Sequence, residues 1–188
     1  ASTWEHQALL RARHAAGDVA LAEDFLVNIA DPLRYPKTDL TETQIAEIRK
    51  LKARMEAERL PRGVRRERHL KLGKGGLSDV EWTIQLLQLQ HAGENANLCV
   101  NGTLEALDEL ERRRLIDAGD AVILRKAWRM CTAARNGSYL WSGRANQADI
   151  LPDDIYSLGG IAVDPAAAAQ MRTEMGLDRP LPVQYGDW

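Results

Sequence analysis

The amino-acid sequence predicts an all-α protein, a single helical bundle of about six to seven helices. Three observations carry this expectation. Apolar residues recur at three- and four-residue steps along most of the chain, no alternating run is long enough for a strand, and Ser, Thr or Asp stands where helices would begin. The 188 residues, 45% apolar with net charge −2, suffice for one domain with a real core.

Ser2 and Glu5 have the spacing of a capping box, opening a helix with Trp4, Ala8 and Ala12 on one face that weakens at Gly17-Asp18. A short helix through Ala20 to Ile29 is expected to stop at Asp31-Pro32. Thr41 and Gln44 form another box, before a stripe of Ile45, Ile48, Leu51 and Met55, and Pro61 and Gly63 end that helix. Ser78 and Glu81 form a third box at the head of a helix from Asp79 to about His91, with Leu77 and Trp82 as a hydrophobic staple. Leu104, Leu107 and Leu110 mark a helix from about Thr103 to Arg113. Asp117 opens the longest, through about Trp141, with Ile123, Ala127, Met130 and Ala134 beside Leu124, Trp128 and Cys131; so broad an apolar face predicts a central helix. Gly143 to Gly160 reads as an irregular excursion tacked to the core by Ile150, Leu151, Ile155 and Leu158. Asp164 and Pro165 cap a last helix to Gly176. The expected division is a helical domain over residues 1–177 and a loosely held tail over 178–188.

Bulk charge argues against a nucleic-acid-coating protein, and the basic segment lacks the aromatic interleaving of a base-stacking surface. No apolar run approaches the ~20 residues of a membrane span, and no leader pattern opens the chain, so no membrane is expected and the location expected is cytoplasmic. Cys99 and Cys131 lack metal-ligand spacing and are expected as half-buried, reduced thiols. His6, His14, His69 and His91 share no metal spacing either, so no metal site is expected. Asp153-Asp154 follows Pro152 in irregular chain and reads as loop surface. Arg135, Asn136, Tyr139 and Trp141 are explained by helix packing at least as well as by binding, and Trp4, Trp82, Trp128 and Trp141 as interhelix anchors.

The stretch Lys71 to Trp82, KLGKGGLSDVEW, runs a glycine-rich turn with two lysines into a helix start. Gly73, Gly75 and Gly76 permit positive φ and close approach, either of a phosphate or of a neighbouring helix. From Arg59 to Lys74 the chain carries Arg59, Arg62, Arg65, Arg66, Arg68, Lys71 and Lys74 against Glu67 alone, a local positive field. Helix N-terminal N–H groups favour anions, but Asp79 and Glu81 place negative charge in that turn and oppose a phosphate on the axis. The arrangement expected has Lys71 and Lys74 facing a ligand across a cleft while Asp79 and Glu81 brace the loop or pair with arginines. The motif is not a P-loop, and no catalytic constellation is present.

WEHQALLRARHAAGD from Trp4, KLGKGGLSDVEWTIQLLQLQHA from Lys71, TLEALDEL from Thr103 and ARNGSYLW from Ala134 resemble, in the same order, glutamine synthetase adenylyltransferase, and more narrowly the helical domain after its C-terminal, adenylylating nucleotidyltransferase domain. The resemblance implies an enzyme that moves AMP from ATP, with Mg²⁺, to a tyrosine of glutamine synthetase. Its other half removes the group by phosphorolysis, and the PII signalling protein and glutamine regulate both. It also implies that the catalytic carboxylates belong to a nucleotidyltransferase domain ahead of Ala1, so that this part is inactive alone and holds no cofactor itself. The family's K-x-G-x-G-G falls on Lys71, Gly73, Gly75 and Gly76, and its D-x-E on Asp79 and Glu81. Ser78, where many relatives have arginine, fits a capping role. From about Asp178 the chain departs from the family. Two further readings are a module docking glutamine synthetase or PII, and the helical domain of PII uridylyltransferase.

Overall fold

The computed structural model describes residues 3–145 and 148–151, and among them the fold is all-helical, with a single antiparallel bridge, His69 to Ile150, outside the helices. Ser2, the 152–188 segment with Asp153, Asp154, Ile155, Leu158, the Asp164-Pro165 helix and the tail after Gly176, and the side chains of Trp4 and Trp141 lie outside the described residues.

Helix α1 (Thr3–Leu9) is shorter than its periodicity predicts, and it buries Gln7, with Leu10 just beyond it, rather than Ala8. The cause is tertiary. Arg34 donates to the carbonyls of Leu9 and Ala12 at 3.1 and 2.7 Å, and Asn101 donates to those of Leu10 and Ala12 at 2.8 and 3.2 Å. These donors take the acceptors that another helical turn would need.

Asp18 caps α2 (Val19–Phe25), accepting from the Leu21 N–H at 3.0 Å. The chain does not stop at Asp31-Pro32. It passes through a π turn, Leu26–Ala30, directly into α3 (Asp31–Arg34). Proline lacks an N–H and its ring crowds the carbonyl four residues back, and a π turn relieves both by widening the helix upstream.

In α4 (Glu42–Arg59) both arms of the Thr41 and Gln44 box are made, at 3.3 and 2.9 Å, and Leu60 ends it in extended backbone before Pro61. Of its stripe, Ile48 is buried and Ile45, Leu51 and Met55 are half-buried. Helix α5 (Leu77–His91) occupies the centre that periodicity assigned to the longest helix. Its Val80 and Ile84 join Ala106, Leu107 and Leu110 of α6 (Thr103–Arg112) and Ala121 of α7 (Ala118–Ser142). Its Leu89, with Trp82 and Leu86, faces Leu10 and Ile48 on the other side. Helix α7 packs on α5 and α6 but leaves Val122, Ile123, Tyr139 and Leu140 exposed. Asp117 caps its start, accepting from the Gly119 N–H at 2.7 Å, and Gly143, at φ +64°, closes its end.

Helix α6 ends in a Schellman turn with an arginine in the glycine position. Leu115 N–H reaches Leu110 O and Arg114 N–H reaches Glu111 O, both at 2.9 Å, with Arg114 at φ +58°. An L residue with a Cβ is strained there. Arg114→Gly is therefore expected to stabilise the protein by about 0.5–1 kcal/mol, read as a higher urea midpoint at unchanged slope.

Candidate functional site

The loop from His69 to Gly76 is built by its own backbone. His69 is buried, and its Nδ1 accepts from the N–H groups of Lys71 and Leu72 at 3.3 and 3.1 Å, while its carbonyl accepts from Gly73 at 2.7 Å. The chain then closes on itself. Gly76 donates to Gly73 O, Leu77 to Leu70 O and Ser78 to Lys71 O, each at 2.9 Å. Asp79 and Val80 donate to Gly76 O at 3.1 and 3.3 Å, and Gly75 donates to the Asp79 carboxylate at 2.6 Å. The N–H groups that a helix N-terminus would offer to a phosphate thus already have partners within the protein.

This overturns the capping box expected at Ser78. The N-cap is Gly76, and Ser78 lies inside the first turn, 2% exposed. Glu81 does not reach back to Ser78; it pairs with Arg11 of α1 at 2.9 Å. Nor do Leu77 and Trp82 staple the helix. Leu77 packs with Leu70 and Cys131, whereas Trp82 turns to the Leu10, Ile48 and Leu89 cluster. Backbone carbonyls of Leu70 and Lys71 supply the acceptors that a capping side chain would have supplied, and residue spacing carries no trace of that.

The glycines divide into two kinds. A Cβ on Gly73 would stand 2.5 Å from the carbonyl oxygens of Arg66 and His69, and one on Gly76 would stand 2.7 Å from that of Leu70, so these positions are dictated by backbone approach. Gly75 has open space around it and is dictated by φ +72°.

Asp79 has a second contact, an ion pair with Lys52 of α4, which also pairs with Glu56. Glu56 is 6% exposed and receives Arg66 as well. Two cations on one buried carboxylate, with Asp79 beyond, tie α4 to the loop and to α5. Arg68 donates to Leu151 O, and the Leu70 and Leu151 N–H groups cross to Asp149 O and Arg68 O at 2.8 Å each. The basic segment is thus split: Arg66 and Arg68 are structural, whereas Arg59, Arg62, Arg65, Lys71 and Lys74 are exposed. Neither Lys71 nor Lys74 makes an ion pair with a described residue, and a groove between α1, α4 and α5 is lined by neither. Cys131 is buried and Cys99 exposed, and burial pushes both thiols up, so neither is an activated nucleophile.

The sequence sets His69 aside with the other histidines, and its loop-holding role is not legible there because a lone histidine before a basic glycine loop has no distinguishing pattern. Burial pushes its imidazole below the ordinary range, opposed by nearby Asp149 and reinforced by Lys71. The neutral ring is the acceptor that holds the loop, and protonation would remove that lone pair. Because the folded value is depressed, this stability is fully present above the unfolded-state value of about 6.5 and is lost as pH falls through the folded one. Wild type is expected to lose urea resistance as pH falls below about 6.5, relative to His69→Asn, which keeps an acceptor that does not titrate. Parallel pH profiles for the two proteins would refute the assignment.

The family model described as GlnD PII-uridylyltransferase matches residues 45–173, more than half of the chain. The chain belongs to that family. Its similarity is also high to proteins named bifunctional glutamine synthetase adenylyltransferase/adenylyl-removing enzyme. That of Bifidobacterium longum strain DJO10A is 82% identical over 163 residues, 87% of this chain and 15% of the relative. That of Cutibacterium acnes is 50% identical over 161 residues, 86% and 16% respectively, and that of Mycobacterium leprae is 47% identical over 163, 87% and 16%. The chain therefore spans about one sixth of the length of these curated relatives. In this chain the glycine loop at the head of α5 is a folded mount. Helix α1 runs antiparallel to α5, with Gln7 on Gln85 at 2.8 Å and Arg11 on Glu81, so the Thr3 end points along α5 away from the loop. Among the described residues no helix is long and apolar enough to cross a membrane.

Proposed function

We propose that this chain is the helical domain of a glutamine synthetase adenylyltransferase and serves as the rigid wall of its nucleotide cleft. The observation that carries the reading is the 82% identity over most of the chain to proteins of that name. The enzyme would transfer AMP from ATP, with Mg²⁺, to a tyrosine of glutamine synthetase in the cytoplasm, under control of the PII signalling protein. Its metal-binding carboxylates, which supply the charge stabilisation of phosphoryl transfer, would belong to the nucleotidyltransferase domain. The part described here would position and neutralise.

The loop geometry supports a particular division of labour. With every N–H of the loop except that of Lys74 internally bonded, the loop offers a phosphate this one backbone donor and the mobile ammonium groups of Lys71 and Lys74, held on a mount whose shape is fixed by Gly73, Gly76, His69 and Asp79. Lys71→Ala/Lys74→Ala in the longer enzyme is expected to raise the ATP requirement about three- to tenfold with melting unchanged. Unaltered kinetics would remove the two lysines from the nucleotide site. The family model's own description favours PII uridylyltransferase as a second reading, with UMP and PII replacing AMP and glutamine synthetase; assaying the longer protein with ATP and UTP on both targets separates the two.

A further inference from the structure

The groove between α1, α4 and α5 lies outside the glycine-loop site and has a chemistry of its own. Its volume is about 460 Å³, and its wall along α4 is Leu51, Arg54, Met55, Glu58 and Arg59. Those positions, spaced by three and four residues, form one continuous helical face. Helix α1 has seven residues against eighteen in α4, so it covers only part of that face. The uncovered stretch is ~12 Å long at 1.5 Å per residue, the span of two to three turns of a further helix.

The lining has the composition of a protein interface rather than of a solvated helix surface. Leu51, Met55 and Trp82 form an apolar floor, and tryptophan, methionine and arginine are the types that concentrate at interface centres. Three guanidinium groups, Arg11, Arg54 and Arg59, stand against one carboxylate, Glu58, among the lining residues. Arg11 is committed to Glu81, Asn101 and Thr103. Arg59 has no ion-pair partner among the described residues, and the Arg54 to Glu58 pair is exposed on both sides, 73% and 60%, so it can be exchanged at little cost. Gln7, 5% exposed, also lines the groove; its Nε2 donates to Gln85 while its Oε1 has no partner.

We infer that this groove docks an acidic amphipathic helix of a partner protein, whose apolar side chains cover Leu51, Met55 and Trp82 while its carboxylates pair with Arg54 and Arg59. The excess of guanidinium over carboxylate sets the sign of the partner. The helical form follows from the wall, since a straight ridge of i, i+3, i+4 side chains accepts another helix by ridges-into-grooves packing.

The probes are two capped peptides of about four turns with the same leucine face, one flanked by glutamates and the other by lysines, titrated into the full chain. The glutamate peptide is expected to bind saturably, at roughly micromolar to tens of micromolar Kd, to shift the indole N–H resonance of Trp82, assigned with Trp82→Phe, and to outbind the lysine peptide. Arg54→Glu/Arg59→Glu should weaken the glutamate peptide by about tenfold or more and let the lysine peptide bind. Both side chains are exposed, and unchanged melting of the variant confirms that its fold is intact. The inference is overturned if the glutamate peptide does not bind, if both peptides bind equally, if the Trp82 resonance stays in place, or if the double reversal leaves the preference unaltered.

Discussion

Gly73→Ala is expected to destabilise the protein by about 3 kcal/mol, the larger of the two main effects anticipated. The added methyl would lie 2.5 Å from two backbone carbonyl oxygens, those of Arg66 and His69, and neither is the flexible end of a side chain that could swing away. Relief would require the 3₁₀ turn at Arg66–Arg68 to separate from the glycine loop. That movement would loosen the His69 acceptor, the Leu70 and Lys71 carbonyls that cap α5, and the bridge to Ile150. A melting temperature lower by ~5–12 °C is expected for a chain of this size. Gly75→Ala is the internal comparison, since it has open space and incurs only the left-handed backbone cost of roughly 1–2 kcal/mol. Equal melting temperatures for the two variants would mean that backbone approach at Gly73 is not what constrains the loop.

Arg34→Met is expected to cost about 2–3 kcal/mol and to act on α1 first. The guanidinium is buried, donates to Leu9 O and Ala12 O, pairs with Asp31 at 2.8 Å, and lies over the Tyr35 ring at 4.9 Å. Methionine retains much of the apolar stem but none of the donors, so the Leu9 carbonyl keeps only the Ala12 N–H, the Ala12 carbonyl keeps only Asn101, and the Asp31 carboxylate loses its cation. Amide exchange should accelerate in α1 well before it does in the Val80, Leu107 and Leu110 core. Uniform acceleration through α1, α5 and α6 would show instead that α1 is part of the same cooperative unit.

These two sites mark the limits of what the residues disclose. Signals that operate within a single turn were legible: the Thr41 and Gln44 box, Asp117 at the start of α7, the leucine row of α6. Signals that arise from contact between distant segments were not. Helix α1 ends early because Arg34 and Asn101 claim its carbonyls, and no residue inside α1 announces that. The box expected at Ser78 has the right spacing, but the acceptors it would provide are already provided by Leu70 and Lys71 once the loop folds back. The objection to a phosphate on the α5 axis could be raised from Asp79 and Glu81 alone. Their actual partners, Gly75 and Lys52 for the first and Arg11 for the second, required the fold. Similarly, α5 has a less continuous apolar pattern than α7 yet lies at the centre, because burial on several sides comes from the neighbours rather than from one broad stripe.

The π turn at Leu26–Ala30 sets a rotational phase as well as accommodating Pro32. Relative to a regular α-helix it holds one additional residue, and each residue is worth ~100° about the axis. Removing one residue there would bring the Pro32 ring back against the carbonyl four residues upstream, so the phase of the outward row of Leu21 and Phe25, 70% and 41% exposed and about a quarter of a revolution from that of a regular helix, is tied to the proline. The one extra residue that admits the proline thereby also aims an apolar surface outward, while Ala30, 0% exposed, anchors the same turn.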